Sequence, residues 1–156
     1  MKSLDKIYIA ILDRLQRDGR LSNAKLSANL ALSESPCWRR VKRLEEEQYI
    51  QGYQANMNRQ KLGFGVLAFV HITCVKHDLK TTKQFESIIH AADNVLSCHN
   101  TTGDSDFMLQ VIAKDLDDYS RFVEHVLRQL PGISVISSYV SLREIKSSPR
   151  FPITLI

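Results

Sequence analysis

Leu4, Ile7, Tyr8, Ile11, Leu12 and Leu15 recur at intervals of three and four residues, which places them on one face of a helix. Asp5 stands near its start, and Gly19 is placed to end it. Leu21 then precedes Ser22, a residue suited to cap a second helix, with Leu26 and Leu30 continuing the apolar face and Leu26 within stapling reach of Leu21. Leu32 and Ser33 repeat the device, with Ser33 as cap and Leu32 set to pack on Cys37. Pro36 falls in the first turn of this third helix, where its missing N–H costs nothing. Two short helices joined by a turn of about three residues have helix-turn-helix dimensions. Tyr49-Ile50-Gln51-Gly52-Tyr53-Gln54-Ala55 follows as an extended wing, so residues 1–55 read as a winged helix-turn-helix domain.

From Asn56 to Val66 the pattern lapses, and Gly63 and Gly65 mark residues 56–66 as a linker. Beyond it the period changes. Strands are predicted over 67–76, 95–102, 107–113 and 133–146. Helices are predicted over 81–92, with Phe85, Ile88 and Ile89 inward, and over 116–130, ended by Pro131-Gly132. This βαββαβ order assigns residues 67–156 to a ferredoxin-like sandwich, and the whole chain to the α+β class. In the first strand Val70, Ile72 and Cys74 suit a helix-covered face, while the opposite face mixes Phe69 and Val75 with His71 and Thr73. Such a mixed face fits a sheet packed on another sheet better than one facing water, which points to a homodimer.

Charge adds direction to this outline. The chain of 156 residues carries a net +4, and all of the excess lies in residues 1–60, which hold eleven Lys or Arg against seven Asp or Glu. Residues 61–156 hold ten of each. A basic half of this kind points toward a polyanion. No run of about 18 apolar residues is present to span a bilayer. The N-terminus lacks the apolar stretch of a secretory signal. Three widely spaced cysteines, Cys37, Cys74 and Cys98, include no CxxC pair, so neither a disulfide framework nor a zinc site is expected. A cytoplasmic protein is the expectation.

Four of the cations, Arg39, Arg40, Lys42 and Arg43, fall within five residues of the third helix and are followed by Glu45, Glu46 and Glu47. At about 100° per residue, Cys37, Val41, Leu44 and Gln48 form one stripe. Ser35, Arg39, Lys42 and Arg43 face the other way, with Trp38 and Arg40 on the flanks. An outward basic stripe behind a helix N-terminus is what a duplex groove requires: cations and free backbone N–H groups for phosphates and base edges. The three acids oppose the helix dipole, so they are read as keeping the far end of the helix out of the groove. The competing reading is a salt-bridged surface helix. Lys42 with Glu46 and Arg43 with Glu47 have the spacing for it, but Arg39 and Arg40 lack an acid four residues on.

The segment "DGRLSNAKLSANLALSESPCWRRVKRLEEEQYIQGYQA" resembles the DNA-binding domain of the Lrp/AsnC (leucine-responsive/asparagine-responsive, feast/famine) regulators. "TTGDSDFMLQV" resembles the β-turn of their amino-acid-sensing domain, and "LPGISVISSYVSLREIK" their final helix-to-strand segment. The resemblance covers nearly the whole chain. It implies a transcription regulator, not an enzyme, that binds double-stranded DNA and forms homodimers assembled into larger rings such as an octamer. A small effector, usually an amino acid, would bind between dimers; no cofactor or metal is implied. Carried over by position, Ser35, Pro36, Trp38, Arg39, Arg40, Lys42 and Arg43 fall on the recognition helix. Asn100, Gly103, Asp104, Asp106, Leu116, Tyr139, Val140 and Ser141 fall where the family places effector-response residues. Gly103 would free a tight turn, and Asp104 or Asp106 could pair with an α-ammonium group.

Three features depart from the family's pattern. Gln48 replaces the glycine that usually ends the recognition helix, Trp38 replaces a leucine, and the tail "SSPRFPITLI" replaces a threonine-rich stretch. The tail's apolar end makes it a candidate to dock on a neighbouring subunit. Two alternatives come from other classes. A tetrapyrrole (siroheme-type) decarboxylase resembles the same two-domain architecture, but His71, His77, His90, His99 and His125 lack metal-ligand spacing. A thiol-based redox regulator would use Cys37, which the stripe instead places inward.

Overall fold

Asp5 begins the first helix by accepting from the backbone N–H groups of Ile7 and Tyr8 at 2.9 and 3.0 Å, so that α1 runs over Lys6–Arg17. Ser22 caps α2 (Asn23–Asn29) through Lys25 N–H at 3.3 Å. The third helix, α3, spans Glu34–Glu46. Ser33 holds the expected cap position with extended backbone, but its side chain makes no capping bond. The start of α3 is tied instead by Asn23 Nδ2 donating to the Glu34 carbonyl at 3.0 Å. Ile11, Leu15, Leu26, Cys37 and Leu44 are buried together, with Leu21, Leu30, Leu32 and Val41 packed around them. This is the predicted interior.

The computed structural model describes residues 4–75 and 78–153. It divides into two units: Met1–Asn56 with Lys146–Ile156, and Met57–Ile145. The sequence reading carried the second domain through residue 156 and set 56–66 apart as a linker; by contacts, 146–156 groups with the first unit and 57–66 with the second. Gly19 serves a purpose other than ending α1, which stops at Arg17 with Asp18 extended beyond it. A Cβ on Gly19 would stand 3.3 Å from the Tyr53 ring, so the glycine lets Tyr53 close on α1. Gln48 falls off the buried stripe and is exposed, because α3 ends at Glu46 and Gln48 turns left-handed at φ 59°. Its side-chain amide then donates to the Glu45 carbonyl at 3.0 Å. Residues 51–58 form no strand ladder, so the wing is an irregular segment.

In the second unit the strands β1 (Val66–Cys74), β2 (Val95–Asn100), β3 (Phe107–Ala113) and β4 (Ile133–Val140) form one sheet in the order β2-β3-β1-β4. All neighbours are antiparallel. Helices α4 (Leu79–Ala91) and α5 (Leu116–His125) cover one face. Val70, Ile72, Leu109 and Val111 of the sheet meet Phe85, Ile89, Tyr119 and Phe122 of the helices there. This is the ferredoxin-like sandwich expected from the order of elements.

Boundaries shift where caps and partners decide them. Asp78 caps α4 through Thr81 N–H at 2.9 Å, so the helix begins before Thr81. The predicted helix 116–130 breaks at Val126 and finishes as a 3₁₀ turn, Leu127–Gln129, which puts Leu127 wholly inside. The fourth strand stops at Val140, well short of residue 146. Its pairing with β1 ends at Ala68 opposite Val140, followed by one bond from Ser141 N–H to the Leu67 carbonyl at 2.8 Å. The predicted end of the first strand at Lys76, together with His77 and tail residues 154–156, lies outside the described residues. On the sheet face away from the helices, Phe69, Val135 and Tyr139 are 38%, 53% and 57% exposed, and the His71 and Tyr139 rings lie 5.0 Å apart.

Candidate functional site

Burial of Cys37 and Leu44 fixes the rotation of α3. Ser35, Trp38, Arg39, Lys42 and Arg43 are then exposed, and Pro36 and Arg40 half-buried. The four cations have different surroundings. Arg43 donates from Nε to Glu47 at 2.6 Å, which with the Tyr8 hydroxyl raises its affinity for its proton. Lys42 pairs with Glu46 at 3.7 Å and lies 5.2 Å from the centre of the Trp38 ring. Both spaced pairs of the salt-bridge reading therefore form, but exposed pairs hold a helix only weakly.

Arg40 turns inward. Its guanidinium lies 5.8 Å over the Tyr8 ring and donates to the Pro36 carbonyl at 3.4 Å, while its Nε is buried without a partner among the described residues. Arg43 approaches the same ring at 5.6 Å, and its Nη1 lies 3.4 Å from the Tyr8 hydroxyl. Tyr8 thus organises two of the four cations, a role the sequence reading missed by counting it only in the apolar stripe. Its one sequence signal was a polar tip on an apolar body. Arg39 alone of the four makes no hydrogen bond, ion pair or ring contact among the described residues.

The wing is pinned to the C-terminal end of α3 by the Tyr53 hydroxyl donating to Glu45 at 2.8 Å. Burial, then the Glu45 carboxylate, pushes the Tyr53 hydroxyl up to about 12. Glu45 therefore has a structural task beyond the expected repulsion of DNA. Burial also raises the Cys37 thiol, the nearby Arg40 offsetting this only in part, so the thiolate a redox sensor needs is disfavoured.

The residues expected to answer an effector separate into two groups. Asn100, Gly103, Asp104 and Asp106 lie at the turn joining β2 to β3. There Gly103 takes φ 120°, and Asn100 Nδ2 donates to the Asp106 carbonyl at 3.0 Å. Asp106 is built into the sheet: its N–H donates to the Ile72 carbonyl at 2.9 Å and its carboxylate accepts from Cys74 N–H at 2.7 Å. Asp104 remains exposed. Tyr139 and Val140 pair with Phe69 and Ala68 near the other end of β1, Ser141 bonds Leu67, and Leu116 begins α5 at 61% exposure. Phe69, opposite Tyr139, and Cys74, bound by Asp106, are roughly 16 Å apart along β1 at about 3.3 Å per residue. One chain does not bring the two groups together.

No cluster of three or more His, Cys, Asp or Glu side chains placed to hold a metal occurs among the described residues. No described helix is long and apolar enough to cross a membrane.

A recognition helix mounted in a three-helix head, carried with a βαββαβ unit, defines a DNA-binding transcriptional regulator with a ligand-binding domain. Residues 4–51 match the winged helix-turn-helix DNA-binding model, and residues 67–151 match the Lrp/AsnC ligand binding domain. The chain belongs to the Lrp/AsnC family. It is 38% identical over 152 residues to the leucine-responsive regulatory protein of Escherichia coli K12, covering 97% of this chain and 93% of that one. A Neisseria meningitidis transcriptional regulator, solved as a complex with L-Met, superposes with a TM-score of 0.92 at 35% identity, covering 96% and 97% of the two chains. An AsnC family regulator of Agrobacterium tumefaciens follows at 0.91 and 29%, with the same coverage.

Proposed function

We propose that α3 reads the major groove chiefly through Arg39, with Lys42 beside it, while Arg43 and the Tyr8-held Arg40 engage the phosphate backbone. The observation that carries this is the division among the four cations: Arg39 is exposed and has no partner among the described residues to give up, whereas the others are already engaged. Ser35, Pro36 and Trp38 line the leading end of the helix, Pro36 and Trp38 offering apolar surface to base edges or sugars. Two copies joined through the open sheet face around Phe69 and Tyr139 present two such helices to successive grooves.

The effector is an amino acid, held where one copy's 101–106 turn meets another copy's Leu116 and Tyr139–Ser141 region. Their separation along β1 within a chain favours this shared site over one built in a single copy. Asp104 is the carboxylate offered to the α-ammonium group, since Asp106 already holds the sheet. The L-Met complex of the N. meningitidis protein supports an amino acid as the class. The protein acts in the cytoplasm as a regulator without catalytic activity, and assembles beyond the dimer.

The test is Arg39→Ala measured on a selected duplex and on mismatched versions of it. Discrimination should fall by about 1–3 kcal/mol at one base position. Uniform weakening with a shallower salt dependence would move Arg39 to the phosphates. A thermal-shift screen against the amino acids tests the second half, because a ligand that binds the native state raises its stability by mass action.

A further inference from the structure

The C-terminal segment is seated on the DNA-reading head by its main chain. Gln16 of α1 gives both ends of its amide to one residue: Nε2 donates to the Phe151 carbonyl at 3.0 Å, and Oε1 accepts from the Phe151 N–H at 2.9 Å. The amide is itself positioned, since Nε2 also reaches Asp13 at 3.3 Å and Asp13 is held by Arg17 at 3.1 Å. An extended residue points its N–H and C=O to the same side, so a side-chain amide can meet both as a neighbouring strand would. Pro152 favours that geometry, because the residue before a proline is steered away from helical backbone.

The prolines also reduce the number of donors to be satisfied. From Pro149 to Ile153 only Arg150, Phe151 and Ile153 carry an N–H. Arg150 donates to Ser148 Oγ at 3.3 Å, Ile153 to the Phe151 carbonyl at 2.9 Å, and Phe151 to Gln16. Gln16 is the only one of these partners outside the segment. The Phe151 ring stays 76% exposed, so the seat recognises main chain rather than the aromatic side chain. Beneath it a groove of about 400 Å³ is lined by Leu12, Leu15, Tyr49, Ile50 and Tyr53.

We propose that this seat is a docking site for the chain's own C-terminal segment, and that the docked segment is a second tether on the reading head. The chain leaves the head after Asn56, runs through the ligand-binding unit from Met57 to Ile145, and returns at Lys146. Docked, the head is joined to the rest of the chain by two stretches; undocked, by one. Docking narrows the orientations the head can sample, and a narrower range favours simultaneous engagement of paired sites only when their spacing suits it.

Trp38 is the only tryptophan in the chain and lies on α3, so its fluorescence anisotropy decay in the full chain reports motion of the head. Gln16→Ala removes both bonds, Phe151→Pro removes the donor, and Phe151→Ala keeps the main chain. The first two, and a chain ending at Ser147, should each shorten the mean correlation time of Trp38 roughly twofold through a new fast component. Phe151→Ala should retain the wild-type decay. Equal decays in all five proteins would overturn the tether. Phe151→Ala matching Phe151→Pro would overturn the main-chain seat. If Gln16→Ala loses helical circular dichroism, Phe151→Pro and the shortened chain decide the question, since neither alters α1.

Discussion

The reading head gathers its candidate DNA-facing groups on one thirteen-residue helix, whereas the ligand-binding unit leaves its candidate effector residues at the two ends of a sheet. The first arrangement is complete in a single chain. Its geometry follows from a local fact, the burial of Cys37 and Leu44 on one side of α3. On the proposed reading, the second becomes a site only when a further copy closes the distance. A domain that reads DNA can therefore be understood from one helix and its neighbours, while a domain that senses a ligand through assembly has to be understood from its unpartnered faces.

The two units should also differ in how they fail. Leu44 is almost wholly buried in a head with five buried core side chains among the described residues, and Leu44→Ala should cost about 2–5 kcal/mol. Trp38 emission in denaturant would then report unfolding of the head well before the sheet loses its far-ultraviolet signal. Coincident transitions would show that the two units unfold as one and would break the comparison. Asp106→Ala removes the acceptor of Cys74 N–H and should lower the stability of the sheet by about 1–3 kcal/mol, read by chemical denaturation. Asp104→Ala should leave stability unchanged and blunt only the thermal shift with an amino acid; the reverse pattern would exchange their roles.

Two smaller effects sharpen the account of the head. Tyr53 ionises near 10.0 when unfolded and at about 12 when folded, so its hydroxyl stabilises the head fully below pH 10. That contribution is lost as pH rises toward 12. The fall in head stability across this window should be shallower in Tyr53→Phe than in the wild type, measured through Trp38. Gln48→Gly relieves a left-handed residue, φ 59°, and should raise head stability by no more than about 1 kcal/mol because the bond to Glu45 is given up. A loss of stability would mean that this side-chain bond outweighs the strain.

What the sequence made legible follows the same division. Helical spacing placed Cys37, Val41 and Leu44 inward, Arg39, Lys42 and Arg43 outward and Arg40 on a flank, because a helix has one period and a short range. It could not foresee that Arg40 would fold onto Tyr8, thirty-two residues away in sequence, or that Glu45 would anchor Tyr53. Strand boundaries were legible where a turn set them, as at Pro131-Gly132. They were misread where ladder pairing stopped with no turn in the sequence to mark it, as beyond Val140. The turn motif was visible as a motif, yet which of its two aspartates was spoken for depended on Cys74, which pairing alone brings near. The tail was legible as unusual and as a candidate to dock on a neighbouring subunit; its seat in the same chain depended on Gln16, a polar residue that helical periodicity assigns no role.

Cys37, buried at 0% inside the recognition helix, supplies a built-in clock for the head. A thiol reagent cannot reach it while α3 is packed, so its modification rate counts openings of the head rather than collisions at a surface. Once an adduct occupies that side chain the core cannot close around it, and each opening caught is removed from the DNA-competent population. Timed labelling read by mass spectrometry at Cys37 would thus measure the local opening equilibrium of the head within the full chain, without any probe being added to it.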